Sequence, residues 1–244
     1  MSVSEAERRA RCDLSLCHRL IHMHGMTDMF FTHASLRIDG EDYFLVTPFG
    51  VLFSHVTPES LVKVHIDGSA VNVDETFCNS TAFHIHSALQ RRGHRAVLHT
   101  HTAAGNAIAA SSDGLLPVTQ KAMLVLPFIR RHPYNALATG CEEGESIADA
   151  LSEPLQEHEP CRVLVLDNHG LLTVGDTMGE AFLWMEWMEK ACNMQTAMSL
   201  DRVLVPSDTA LEKTYAQARQ YLGRNGALRF NSDRYWQALI KTVH

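Results

Sequence analysis

Positive charge is scarce in this 244-residue sequence: 21 lysines and arginines face 28 aspartates and glutamates, a formal net charge of −7. No dense basic stripe breaks that balance, so the electrostatic footprint of a nucleic-acid-binding protein is missing and no nucleic acid partner is expected. Apolar runs of spanning length are missing too, which argues against membrane association. Residues 1–11 carry Glu5, Glu7, Arg8, Arg9 and Arg11 where a secretory signal would be apolar, so a cytoplasmic location is expected. The six cysteines, Cys12, Cys17, Cys78, Cys141, Cys161 and Cys192, form no Cys-x-x-Cys pair. That argues against a zinc knuckle or redox motif and for reduced, mostly buried thiols. There is no Gly-rich phosphate loop after a first strand, no regular βαβ repetition and no internal repeat, so a Rossmann arrangement is not expected.

What remains is a chain with 45% apolar residues, long enough to bury a core without disulfide or metal staples. Residues 1–244 are expected to form a single domain, with a core at about 10–200 and C-terminal helices in 205–244. Helical spacing of Leu14, Cys17, Leu20 and Ile21 predicts an opening helix within Ser4–Met26 that stops at Gly25. Ala34–Ile38 and Tyr43–Thr47, joined through Asp39-Gly40, read as paired strands, and Leu61–Ile66 repeats the pattern before Asp67-Gly68. Ser80 and Thr81 offer N-caps for a helix ending near Gly93. Then come a strand at Arg95–His101, a small-residue helix from Ala103 to Ser111, a helix at Ser146–Gln156, and strands at Arg162–Leu166 and Leu171–Val174. A long helix from Thr177 to Leu200 and two more at Ser207–Leu222 and Ser232–Thr242 close the chain. The Met and Trp run at 184–188 reads as core or subunit contact. Arg130-Arg131 reads as a solvated pair, and Glu142, Glu143 and Glu145 as favouring the start of the following helix.

Histidine is the abundant titratable residue, at 15. His99 and His101 stand two apart on the predicted strand, so both imidazoles leave one face, about 7 Å apart at the backbone, a separation one metal ion can bridge. His169 offers a third imidazole at a strand end. Three neutral nitrogens around an open fourth position suit a divalent metal: zinc first, with iron, manganese or cobalt as alternatives.

Val97-Leu98-His99-Thr100-His101-Thr102, followed downstream by Asn168-His169-Gly170-Leu171-Leu172 and by the helix through Glu180 and Ala181, resembles the class II aldolase/adducin family. Thr47-Pro48-Phe49-Gly50 and His132-Pro133-Tyr134 resemble further segments of that family. The resemblance runs from the opening helix to about Leu200 and is nearest to an adducin-like bacterial branch related to fuculose-phosphate aldolase. It implies an α/β fold: an α/β/α sandwich with a central, mainly antiparallel mixed sheet. It also implies a homotetramer with the active site at a subunit boundary. Sugar-phosphate aldolases of the family begin the helix before the His-x-His strand with Pro-Ser-Ser-Glu, whose Glu is metal neighbour and acid/base. Here the stretch is Asn79-Ser80-Thr81-Ala82, and Ala82 can neither ligate nor carry a proton. The family's phosphate-binding Gly-Asn-x-Ser corresponds to Thr32-His33-Ala34-Ser35, which points away from a phosphorylated substrate.

The expected function is a metal-dependent lyase of aldolase type, or a related epimerase or decarboxylase, acting on a small hydroxycarbonyl or hydroxy acid through a metal-stabilised enolate. Expected ligands are His99, His101 and His169. Among side chains, His86 or Tyr134 would carry the proton in place of the absent Glu, with metal hydroxide itself as the alternative, and Ser35, Ser80, Thr81 and Asn168 would bind substrate. His84, two residues from His86, cannot share its helical face. Two other functions fit the same sequence: a non-haem iron oxygenase on the same fold, or a non-catalytic adducin-like protein bound to the actin cytoskeleton.

Overall fold

The computed structural model of the protein describes residues 3–69, 79–135, 140–223 and 233–243. Helix α1, Glu5–Met23, starts where the Ser4 side chain accepts the Glu7 amide, and the chain turns off it at Gly25, which adopts φ +69. Strands β1 (His33–Arg37), β2 (Tyr43–Val46) and β3 (Val62–His65) follow, then α2 (Ser80–Arg91), β4 (Ala96–Thr100), α3 (Ala103–Ala109) and α4 (Gln120–Val125). Next are β5 (Ile129–His132), α5 (Cys141–Ser152), β6 (Val163–Leu166), β7 (Gly170–Gly175), α6 (Met178–Thr196), α7 (Asp208–Leu222) and α8 (Asp233–Ile240). The expected helix start at Ser232 lies outside the described residues.

The strands form one sheet in the order β3-β2-β1-β4-β7-β6-β5. Every neighbouring pair is antiparallel except β5 with β6. Alternation along the strands sends side chains to opposite faces of the sheet, where two main cores form and Phe44, Val46, Val62 and Val64 make a third, smaller cluster. Ala96, Leu98, Val163, Val165 and Leu171 pack under α1, α3, α4 and α6, whereas Val97, Leu164, Leu166, Leu172 and Val174 pack under α2 and α5. The result is the expected α/β/α sandwich, with a mixed, mainly antiparallel sheet between two helical layers.

Several local expectations shift. Asn79, one residue upstream of the expected caps, covers the start of α2 by accepting the Thr81 amide. Helix α5 starts at Cys141 and not Ser146, because Gly144 serves close packing instead of breaking the helix. A Cβ there would stand 2.6 Å from the His84 carbonyl oxygen of α2. Helix α4 and strand β5 were not anticipated, since the apolar run around Pro127 carries no clear period. Arg130 and Arg131 are not a solvated pair. Arg130 donates to carbonyls at the C-terminal end of α5, Glu153 and Pro154 among them, and Arg131 donates to Asp167 and to the Ala109 carbonyl.

His18 of α1 is fully buried, with Nδ1 2.7 Å from the Leu14 carbonyl and Nε2 2.8 Å from Thr47 Oγ1. Burial pushes its pKa down to about 4, against a smaller opposing pull from the Leu14 carbonyl. Unfolding restores a value near 6.5, so below that pH the unfolded chain takes up a proton that the folded chain refuses. Stability should therefore fall as pH drops from 6.5 towards 4, this one site contributing about 1.4 kcal/mol per pH unit. Urea denaturation across that range checks it, with the His18→Gln variant giving the shallower dependence.

Candidate metal centre

The sheet topology places the candidate residues at one edge. Strands β4 and β6 both run antiparallel to β7, so their C-terminal ends lie together, and the N-terminal end of β1 joins them with His33 opposite His99. His99 is the penultimate residue of β4, which is buried throughout, and His101 follows the strand. His169 sits in the turn between β6 and β7, where Asn168 has φ 56 and its N–H donates to the Ala109 carbonyl at 3.1 Å. Short polar side chains tolerate this left-handed conformation better than bulky ones. Gly170 is required by close approach: a Cβ there would lie 2.4 Å from the Thr100 carbonyl oxygen and 3.1 Å from His101 Cδ2.

The three imidazoles point their Nε2 atoms at one another, with separations of 2.7 Å for His99 and His101, 3.1 Å for His101 and His169, and 3.3 Å for His99 and His169. Their tautomers follow from the other ring nitrogen. His99 Nδ1 lies 2.9 Å from the Leu171 carbonyl, which can only accept, so Nδ1 carries the proton and Nε2 is a bare lone pair. His101 Nδ1 likewise donates to Asp28 Oδ2 at 3.3 Å. Two lone pairs facing each other repel unless a cation lies between them. Four-coordinate zinc with bonds of 2.0–2.1 Å requires N···N separations of about 3.3 Å, so the set needs only a small opening to hold a metal. Burial, then the neighbouring imidazoles, pushes the His99 pKa well below the usual range. Burial also lowers His101, opposed by Asp28, and takes His169 to about 4. All three are neutral near pH 7, the state a metal ligand requires.

Behind the triad lies a buried polar chain. His33, its ring tilted 40° against that of His99 with centroids 4.8 Å apart, shares a 2.7 Å hydrogen bond between its Nδ1 and His86 Nε2. His86 Nδ1 lies 2.6 Å from Ser35 Oγ, which also accepts from Gln90 Nε2 at 3.1 Å. His86 and Ser35 are fully buried, and burial lowers the His86 pKa to about 3. Both nitrogens of His86 are thus engaged, and Ser35 faces this network and not an open site. Ser80 is exposed and Thr81 partly buried at the start of α2. Asn168 is exposed and closes its turn. Tyr134 follows β5 at the same sheet edge, half exposed, and makes no hydrogen bond or ring contact among the described residues.

Three residues escaped the sequence reading. Asp28 lies in an irregular segment with no periodic signal. His33 was read only as a departure from a phosphate-binding pattern, although its alternation with Ser35 on β1 places both on the His99 face. Glu189, a buried carboxylate on α6, could have been suspected from its place on the apolar stripe of that helix.

A family model described as the class II aldolase and adducin N-terminal domain matches residues 12–196. A Caulobacter vibrioides protein provisionally named an aldolase class 2 protein is 39% identical over 232 residues, 93% of this chain and 88% of its own. Rat alpha-adducin is 34% identical over 200 residues, covering 80% of this chain but only 26% of its own length. Among solved structures, an aldolase II superfamily protein from Pseudomonas syringae superposes with a TM-score of 0.84 at 33% identity, covering 99% of this chain and 94% of that one. L-fuculose 1-phosphate aldolase from Glaciozyma antarctica gives a TM-score of 0.76 at 24% identity, covering 99% and 92%, a likeness that speaks to the fold alone.

Gly170→Ala should force the start of β7 away from the end of β4, costing about 1–3 kcal/mol and moving His169 out of register with its two partners. Gly140→Ala, where a Cβ meets nothing within 4 Å, is the control and should leave stability and metal retention nearly unchanged. Urea denaturation beside elemental analysis of both variants tests this.

Proposed function

The chain belongs to the class II aldolase and adducin family, and from that premise we propose that it is a metal-dependent lyase breaking a carbon–carbon bond in a small, unphosphorylated hydroxycarbonyl or hydroxy-acid substrate. Epimerisation and decarboxylation are the neighbouring reactions in this reading. The observation that carries it is the convergence of three Nε2 atoms, at 2.7–3.3 Å, at least two of them bare lone pairs. His99, His101 and His169 would hold a divalent ion, zinc first, with manganese, cobalt or iron as the alternatives. Such an ion supplies positive charge opposite the negative charge that grows on a substrate carbonyl oxygen as the adjacent bond breaks.

The surrounding residues set the substrate class. A phosphate would need free donors on the β1 segment, but Ser35 Oγ and His33 Nδ1 are tied to His86. Ser80 and Thr81 remain at the start of α2 to bind uncharged substrate oxygens, and Asn168 borders His169. Ala82 carries no proton, and His86 has no ring nitrogen left for a substrate. Of the two expected side-chain proton carriers, Tyr134 is the one with no hydrogen bond among the described residues, and this reading assigns it that role. Asp28 orients His101 through Nδ1 and favours its ligand tautomer. Residues 1–244 acting as a single domain, assembled as a homotetramer in the cytoplasm, complete the proposal. No helix among the described residues is long and apolar enough to cross a membrane.

The likeness to adducins favours a second reading, a binding protein without catalysis, although this chain spans only about a quarter of the adducin length. The experiment that separates the two pairs elemental analysis of untagged protein with a cleavage screen of phosphorylated and unphosphorylated hydroxycarbonyl compounds. The lyase reading predicts about one metal per chain and turnover of the unphosphorylated set, both lost in His99→Ala with the circular dichroism spectrum kept. Metal-free protein with no turnover would support the binding reading. Iron with oxygen consumption would redirect the assignment to an oxygenase.

A further inference from the structure

We propose that Glu189 is a positioning residue for the metal centre: its carboxylate holds Thr100 and Thr102 on either side of His101 and fixes the strand end from which two of the three imidazoles project. The proposal rests on the metal reading above.

Glu189 lies on α6 and is 3% exposed. Thr100 Oγ1 donates to one carboxylate oxygen at 2.8 Å and Thr102 Oγ1 donates to the other at 2.6 Å. Alternation along β4 turns Thr100 towards α6 and away from His99, so Glu189 grips the opposite side of the same strand from the imidazoles. Thr102 does two jobs at once: besides donating to Glu189, its oxygen accepts the Gly105 amide at 3.0 Å as the N-cap of α3. The carboxylate therefore ties together the last residue of β4 and the N-cap of α3, between which His101 stands. Irregular backbone at such a junction has no ladder to hold it, and a ligand mispositioned by half an ångström or more weakens a metal site.

The chemistry of the clamp selects a carboxylate. Each hydroxyl donates to its own carboxylate oxygen, whereas glutamine would present an amide nitrogen to one of them, so that this hydroxyl would have to turn and accept instead. A buried carboxylate is costly without such partners, and burial does raise the Glu189 pKa against the lowering effect of the two threonines. Glu186 supplies the contrast. It lines the same cavity of about 260 Å³ beside Glu189 and Thr102, yet it pairs with Lys190 and takes no part in the clamp.

The test is titration of the metal-free protein with Co²⁺, followed by its visible absorption, for wild type, Glu189→Gln, Thr102→Val, Thr102→Ser and Glu186→Gln. Urea unfolding of each without metal accompanies it. Glu189→Gln and Thr102→Val should bind Co²⁺ about 10- to 100-fold more weakly and shift its absorption bands. Thr102→Ser, which keeps the hydroxyl, and Glu186→Gln should match wild type in both. Thr102→Val carries the same expectation should Glu189→Gln not fold. Lower stability of the two clamp variants with unchanged Co²⁺ affinity and spectrum would overturn the proposal and leave Glu189 a fold contact only. A wild-type protein that takes up no Co²⁺ would instead end the metal reading, and this inference with it.

Discussion

Strand β4 lies against β7 with His99 opposite Leu172, and that register delivers the His99 Nδ1 proton to the Leu171 carbonyl. The pairing fixes three things together. It sets the tautomer of the most buried of the three converging imidazoles, it brings the β6–β7 turn with His169 to the end of β4, and it forces a glycine at 170, where any side chain would strike the Thr100 carbonyl. A shift by one residue would turn His99 towards α6 and set apolar side chains where the imidazoles meet. The apolar cores on both faces hold the register, since Ala96 and Leu98 bury on one side while Val97 buries on the other.

Electrostatics then gives the site its character. Three neutral imidazoles offset none of a metal's charge, and the carboxylate that approaches them, Asp28, meets the outer nitrogen of His101 and not the point of convergence. In the proposed reading the full charge is available to a substrate oxygen, but the helix start that would otherwise bring a glutamate presents Ala82, so proton transfer falls to another group. The polar chain through His33, His86 and Ser35 has a related consequence in that reading: Ser35 Oγ and His33 Nδ1 are engaged with His86, which leaves fewer donors for a phosphate.

Much of this was legible in the sequence because the relevant signals were local. The alternation at 95–101 and the Asn-His-Gly turn at 168–170 singled out the three histidines and the helix periodicities placed most of the helices, while the α/β/α arrangement came from the family resemblance that those motifs carry. What stayed hidden depends on contacts between distant segments. Gly144 reads as a helix breaker, but it permits α5 to lie against the α2 backbone. His86 reads as a free acid/base candidate on a helix, yet it is sealed by two β1 residues more than fifty positions away. Glu189 reads as one more charge in a helix rich in methionine and tryptophan, and only the packing of α6 beneath β4 reveals what its carboxylate touches. Strand β5 lacked a period because it occupies a sheet edge and its arginines turn to helix carbonyls and Asp167 instead of alternating with solvent.

The central claim is that the three Nε2 atoms form one metal site, and X-ray absorption at the edge of the metal retained on purification tests it most directly. The account predicts three imidazole nitrogens in the coordination shell, at about 2.0–2.1 Å if the metal is zinc, and the loss of one of them or of the metal altogether in His169→Ala. A sulfur ligand, or a spectrum unchanged by that substitution, would contradict it.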